Sequence, residues 1–252
     1  MAKIKDSKPK ELSGGYVRLF DDERLGILMS QVQSTVIRNG TELEKLINKK
    51  ARGVDDLEQA LTCPWELPKG VYLVPKKAIK KCKRCSIQIV DASGDKIKLP
   101  EPDFLLLQIK RNPRCTVLEL KDGHVFDTKK SQAEKDSLVL YSEKLGARIP
   151  YSTDFRICCF NQDDPEEICR GLKNIFSQDE VMTGRQLCGL LDIDYDGILQ
   201  ERTEDAKENR KYLFKRLFET PAFRKYIKKH LLKEAEEQGR GKDFQRHLEE
   251  LF

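Results

Sequence analysis

The sequence predicts an α/β fold, a central mixed sheet flanked by helices and followed by a helical C-terminal portion. Two observations carry this. Segments with apolar residues at helical spacing alternate with short apolar runs of strand length, in the principal order helix, strand, strand, strand, helix, strand. From about Val181 onward the pattern is helical and rich in charge. Such an order builds a sheet with helices on both faces.

Taken in order, residues 1–15 are polar and rich in Gly, Ser and Lys, and are expected to be a mobile arm. A helix is expected over 21–38, where Leu25, Leu28, Met29, Val32 and Val36 make one amphipathic stripe. Asn39-Gly40 should break or bend it before the pattern resumes over 41–47. Pro64, Pro68 and Gly70 punctuate an irregular stretch, and 71–74 reads as a strand. A basic stretch runs from Lys76 to Arg84, 86–90 alternates like a strand, and Ser93-Gly94-Asp95 reads as a turn. Asp103 opens a strongly apolar strand over 103–109. Arg111-Asn112-Pro113 is turn chemistry, and 115–121 is the returning strand of an antiparallel hairpin. A helix over 126–145 buries Leu138, Tyr141 and Leu145 and stops at Gly146; its cap is either Asp127 or a Ser131–Glu134 capping box. A strand over 154–160 and a helix over 165–176 complete the core. Two charged helices, about 204–218 and 221–236, follow, with Tyr212, Phe214, Leu217 and Phe218 as a core face. The expected division is a core domain over 1–180 and a helical region over 181–252.

The composition bounds the function. Of 252 residues, 38% are hydrophobic, enough for a real core, and 35% are charged. A net charge of +5 permits a nucleic-acid partner without demanding one. The eight cysteines are scattered, two of them adjacent (Cys158, Cys159), and several sit in apolar patterns where thiols pack as small hydrophobes. They read as thiols of a reducing cytoplasm, not as a disulfide framework. The first fifteen residues have no apolar stretch of signal-peptide type, and no apolar run reaches the length of a membrane span. A soluble, cytoplasmic protein without a membrane partner is expected.

The chemistry concentrates at one end of the hairpin. Glu119 and Lys121 end the returning strand and share a face, because strand side chains alternate. Folding the hairpin brings Asp103, sixteen residues before Glu119, beside them. Two converging carboxylates repel unless a cation sits between them. A divalent metal suits the place: Mg²⁺ takes carboxylate, carbonyl and water oxygens and needs few protein ligands. Asp103, Glu119 and the carbonyl of Leu120 are the candidate ligands. Divalent cations lower the pKa of coordinated water, and Lys121 would orient that water and offset charge building on a phosphate. The arrangement suits hydrolysis of a phosphodiester. A simple surface ion pair between Glu119 and Lys121 is the plain alternative.

Pro102-Asp103 followed by Glu119-Leu120-Lys121 resembles the PD-(D/E)XK nuclease signature, and residues 122–130 resemble the segment after that motif in type II restriction endonucleases. The helix around Glu44 is similar to the family's first core helix, which often carries a glutamate near the metal. The resemblance covers roughly half of the chain and implies a restriction-endonuclease-like αβββαβ core. It implies a Mg²⁺-dependent, sequence-specific endonuclease acting on double-stranded DNA as a homodimer and leaving 5′-phosphate ends. Asp103, Glu119 and Lys121 would be catalytic, with Glu44 assisting at the metal. Lys129, Lys130 and Gln132 start the next helix, whose N-terminus favours phosphate; with Lys80 and Lys81 of the basic stretch they are candidate DNA contacts. The alternatives are a repair or recombination nuclease of the same fold, or a DNA-binding module without cleavage.

Three further signals carry less. Cys82-x-x-Cys85 has no second ligand pair for zinc. Asp192-Ile193-Asp194-Tyr195-Asp196-Gly197 copies half of an EF-hand loop, but Thr203 stands where the bidentate Glu belongs, so a helix–turn–helix connection is expected. His124 is read as a loop residue.

Overall fold

The sheet forms around the most apolar run in the chain, Phe104–Ile109, which is buried along almost its whole length and so requires cover on both faces. The structure, a computed structural model, describes residues 1–9, 15–90 and 93–237. Its helices are α1 (Gly15–Phe20), α2 (Glu23–Lys50), α3 (Leu57–Thr62), α4 (Lys76–Ile79), α5 (Thr128–Gly146), α6 (Pro165–Gly171), α7 (Gly184–Leu191), α8 (Tyr195–Glu219) and α9 (Pro221–Glu237). Its strands are β1 (Gly70–Pro75), β2 (Gln88–Val90), β3 (Lys96–Lys98), β4 (Phe104–Ile109), β5 (Arg114–Lys121), β6 (Ser152–Cys159) and β7 (Val181–Thr183).

The main sheet has five strands in the order β1-β4-β5-β6-β7. The tight turn at 111–113 makes β4 and β5 antiparallel, and β1 is antiparallel to β4. A parallel neighbour needs a crossover. Helix α5 supplies it, so β6 lies parallel to β5, and β7 parallel to β6. The sheet is therefore mixed, as the sequence predicts. One face carries Tyr72, Val74, Leu105, Leu107, Cys115, Val117 and Ile157 into a single core, closed by Leu138, Tyr141 and Leu145 of α5.

Two compact units divide the chain: residues 40–198, which hold the whole sheet, and residues 1–39 together with 199–252. β7 pairs with β6 inside the sheet, so the region after 180 begins as a strand. A three-residue strand is too short to leave a period-two signature, and Gly184 starts α7 directly after it. In the other unit, the first residues are not a loose arm: Ala2, Ile4 and Ser7 are buried. The Ile4 amide donates to Asn209 Oδ1 at 2.9 Å, and Thr35 Oγ1 donates to Ser7 Oγ at 2.8 Å.

Other differences are local. Helix α2 runs unbroken through Asn39-Gly40, because one glycine costs a helix only about 1 kcal/mol. The basic stretch after Lys76 is a helical turn and loops, and β2 pairs with β3 in a separate two-stranded ribbon. α6 stops at Gly171, after which Lys173 and Asn174 take left-handed backbone angles. Phe214 and Phe218 are 52% and 46% exposed, so they form no buried face.

Candidate active site

The register of the sheet assembles the site. Val74 pairs with Leu105, and Leu105 with Val117, in a row that faces the core. Two residues along each strand the same row continues as Lys76, Asp103 and Glu119. The Lys76 amide donates to the Asp103 carbonyl at 2.9 Å, which extends the β1–β4 pairing to this point. Residues 103 and 119 thus stand side by side because the hairpin turn fixes the register. Lys121 is one step further on the same face.

The side chains are tied together. Asp103 is 7% exposed. Its Oδ2 accepts from the Leu120 amide at 3.1 Å, and its Oδ1 lies 3.1 Å from Lys76 Nζ. Glu119 Oε1 accepts from Lys121 Nζ at 2.7 Å, and Lys121 also lies 3.3 Å from Glu134 on α5. The Lys121 carbonyl accepts from the Phe160 amide on the β6 side. Since backbone groups of successive strand residues point to opposite edges, the Leu120 carbonyl is directed to the β4 side, where Asp103 sits. A cavity of about 90 Å³ has Lys76, Pro102, Glu119 and Glu134 among its lining residues.

Electrostatics follow from burial. Desolvation, then the charge of Asp103, pushes the Glu119 carboxyl up to about 8, against the opposing pull of Lys121. Desolvation and Asp103 also raise Glu44 on α2, which feels the charges of Lys76 and Lys121. Burial works against the Lys121 ammonium, but the charge and hydrogen bond of Glu119 outweigh it and its pKa is raised. Lys76 is raised in the same way, burial being outweighed by Asp103. The ion pair considered from the sequence is present, but as part of a buried cluster of acids and lysines. Among the described residues no group of three or more His, Cys, Asp or Glu side chains forms a ready-made metal cage. The donor set still fits a hard divalent ion: two buried carboxylates side by side, Glu119 raised by burial and by the charge of Asp103, and an adjacent carbonyl.

The hairpin thus brings Asp103, Glu119, Leu120 and Lys121 together, with Glu44 coupled to them through charge. Lys129, Lys130 and Gln132 lie exposed in the first turns of α5. Asp127 caps that helix by accepting from the Lys130 amide at 2.8 Å, and Ser131 is buried, so the capping box at 131–134 does not form. Lys130 Nζ lies 5.3 Å from the Phe126 ring, and Gln132 donates to Asp136 at 2.8 Å. Lys80 and Lys81 are exposed in the turn after α4. Sequence reasoning missed Lys76 and Glu134. Lys76 had one available signal: it follows the edge strand directly, where the register places it opposite Asp103. Glu134 had none, because it reaches Lys121 only through the packing of α5.

The weaker signals resolve as structure. Asp192, at φ 57°, ends α7, and Asp194 Oδ1 accepts from the Gly197 amide at 2.9 Å at the start of α8, a helix–turn–helix connection. All eight cysteines are free, seven of them buried. The His124 carbonyl packs against Gly171, where any side chain would collide with it.

No helix among the described residues is long and apolar enough to cross a membrane. No family model and no solved structure matches the chain. Over 224 residues, however, it is 40% identical to the type II restriction enzyme HhaII of Haemophilus parahaemolyticus, a match spanning 88% of this chain and 95% of that protein. Similarity of this extent reaches far beyond the hairpin motif and takes in both compact units, and it places the chain in a family: it belongs to the type II restriction enzymes.

Proposed function

We propose that the protein is a restriction endonuclease that hydrolyses both strands of double-stranded DNA at a specific sequence, with Mg²⁺, to 5′-phosphate and 3′-hydroxyl ends. The family carries the activity. The observation that carries the site is the fastening of Asp103 to the Leu120 amide, beside a buried Glu119 whose carboxyl is raised by burial and by Asp103. In this reading the second half of α2, then β1, β4, β5, α5 and β6, is a restriction-endonuclease-like αβββαβ core.

Asp103, Glu119 and the Leu120 carbonyl would hold Mg²⁺, with Glu44 behind them. The bound ion would supply Lewis-acid charge stabilisation and a more acidic water. Lys121 does the rest of the local work. Its ammonium, steadied by Glu134, orients the attacking water and stabilises negative charge growing on the scissile phosphate. Lys129, Lys130 and Gln132, at the exposed N-terminus of α5, and Lys80 and Lys81 bind backbone phosphates. A palindromic target requires a two-fold dimer, and the exposed Val36, Ile37, Phe214 and Phe218 supply apolar surface for one.

Digestion of a DNA of known sequence tests this, combined with sedimentation of the active species. Discrete fragments whose ends map to one sequence, dependent on added Mg²⁺ and produced by a dimer, are expected. Intact DNA, or random nicking, would contradict it.

A further inference from the structure

Resting on the metal site proposed above, we infer that Lys76 is the internal counter-ion a divalent cation has to displace, so that this lysine sets how tightly the DNA-free protein takes up its metal. Each of the two acids has an oxygen engaged by a lysine. Asp103 Oδ1 lies 3.1 Å from Lys76 Nζ, and Glu119 Oε1 lies 2.7 Å from Lys121 Nζ. The other oxygen of Asp103 is committed to the Leu120 amide. A divalent ion that takes Asp103 Oδ1 therefore replaces the Lys76 ammonium there.

The two lysines are not equivalent. Lys121 is 20% exposed and has a second acid, Glu134 at 3.3 Å, to keep it in place when Glu119 turns to a metal. Lys76 is 39% exposed and sits at the rim of the row, on a four-residue helix after the edge strand β1. Metal entry thus releases Lys76 toward solvent and retains Lys121 for its role at the phosphate. The backbone contact between Lys76 and Asp103 persists throughout, since it uses the Lys76 amide and not the ammonium. Lys76 is a positioning residue: it acts through the acids and touches no reacting atom.

The test is calorimetric titration of the full-length protein, without DNA, with MgCl₂ and separately with MnCl₂. Lys76→Met should bind at least about fivefold more tightly than wild type, because a neighbouring charge is removed. Lys76→Arg, which can keep the pair, should resemble wild type. Lys77→Met, at the exposed neighbouring position, should change affinity by less than about twofold, since its charge is screened. Adding Asp103→Asn to Lys76→Met should abolish the gain, which locates it. A damaged site would weaken binding, so tightening is not a folding artefact; Lys76→Gln serves as the second variant if the methionine protein does not fold. Equal or weaker binding by the Lys76 variants, or an equal gain in Lys77→Met, overturns the exchange while leaving the metal site standing. No saturable binding by wild type or by the Lys76 variants overturns the metal site itself, and the exchange with it.

Discussion

At the scale of single residues, the site is a contest between burial and charge. Glu119 sits at the end of an apolar strand, where desolvation and then Asp103 hold its carboxyl near 8. The folded protein therefore keeps a proton that the unfolded chain has lost. Where the native state binds more protons, stability falls as pH rises. Glu119 should make the metal-free protein progressively less stable from the ordinary glutamate range up to about 8, with no further loss from this group above it. Carboxylates with lowered values, such as Glu180, work with the opposite sign, but their contribution is complete once pH is above the ordinary range. Glu119→Gln cannot ionise, so the variant should gain on wild type across the window. Thermal unfolding in chelator from about pH 5 to about pH 9 measures this; parallel pH profiles for the two proteins would sink the assignment. The residues Asp103, Glu119 and Lys121 were legible in the sequence because strand alternation and a tight turn fix their register. Lys76 lies twenty-seven residues from its acid, and Glu134 reaches Lys121 through helix packing. Neither relation has a local pattern.

At the scale of elements, the legible parts were those with a long period or a strong stop. α5, β4 and β5 fall within a residue or two of their expected bounds, because each has a continuous apolar face and a clear terminator. The unexpected parts depend on tertiary contact. β7 has three residues and exists because β6 offers an edge. The docking of Ile4 and Ser7 depends on side chains of α8 and α2. Gly184, the first residue of α7, lies against Phe160, the residue after β6. A Cβ at Gly184 would collide with the Phe160 carbonyl oxygen, which also accepts from the Tyr195 hydroxyl at 3.0 Å. Gly184→Ala must push α7 off the sheet, and overpacking of this kind costs about 1–3 kcal/mol. Chemical denaturation should show that loss. A stability unchanged from wild type would mean the backbone yields freely here.

At the scale of the whole molecule, a motif of four residues and a match along most of the chain point the same way. Pro102-Asp103 with Glu119 and Lys121 resembles a nuclease signature, and the 40% identity to a type II restriction enzyme extends through both compact units. The second unit, built from the two ends of the chain, was not legible. Its pieces are far apart in sequence. The sequence that the enzyme reads is set by side chains aimed at base edges, a property of the complex with DNA and of no local pattern in the chain. In the proposed function, cleavage is done at the end of the β4–β5 hairpin. Single-turnover cleavage of a duplex containing the mapped target, with DNA affinity measured alongside, tests it most directly. Asp103→Asn and Lys121→Ala are each expected to cut at least about a hundredfold more slowly than wild type while still binding and folding. Cutting at the wild-type rate by either variant would contradict it.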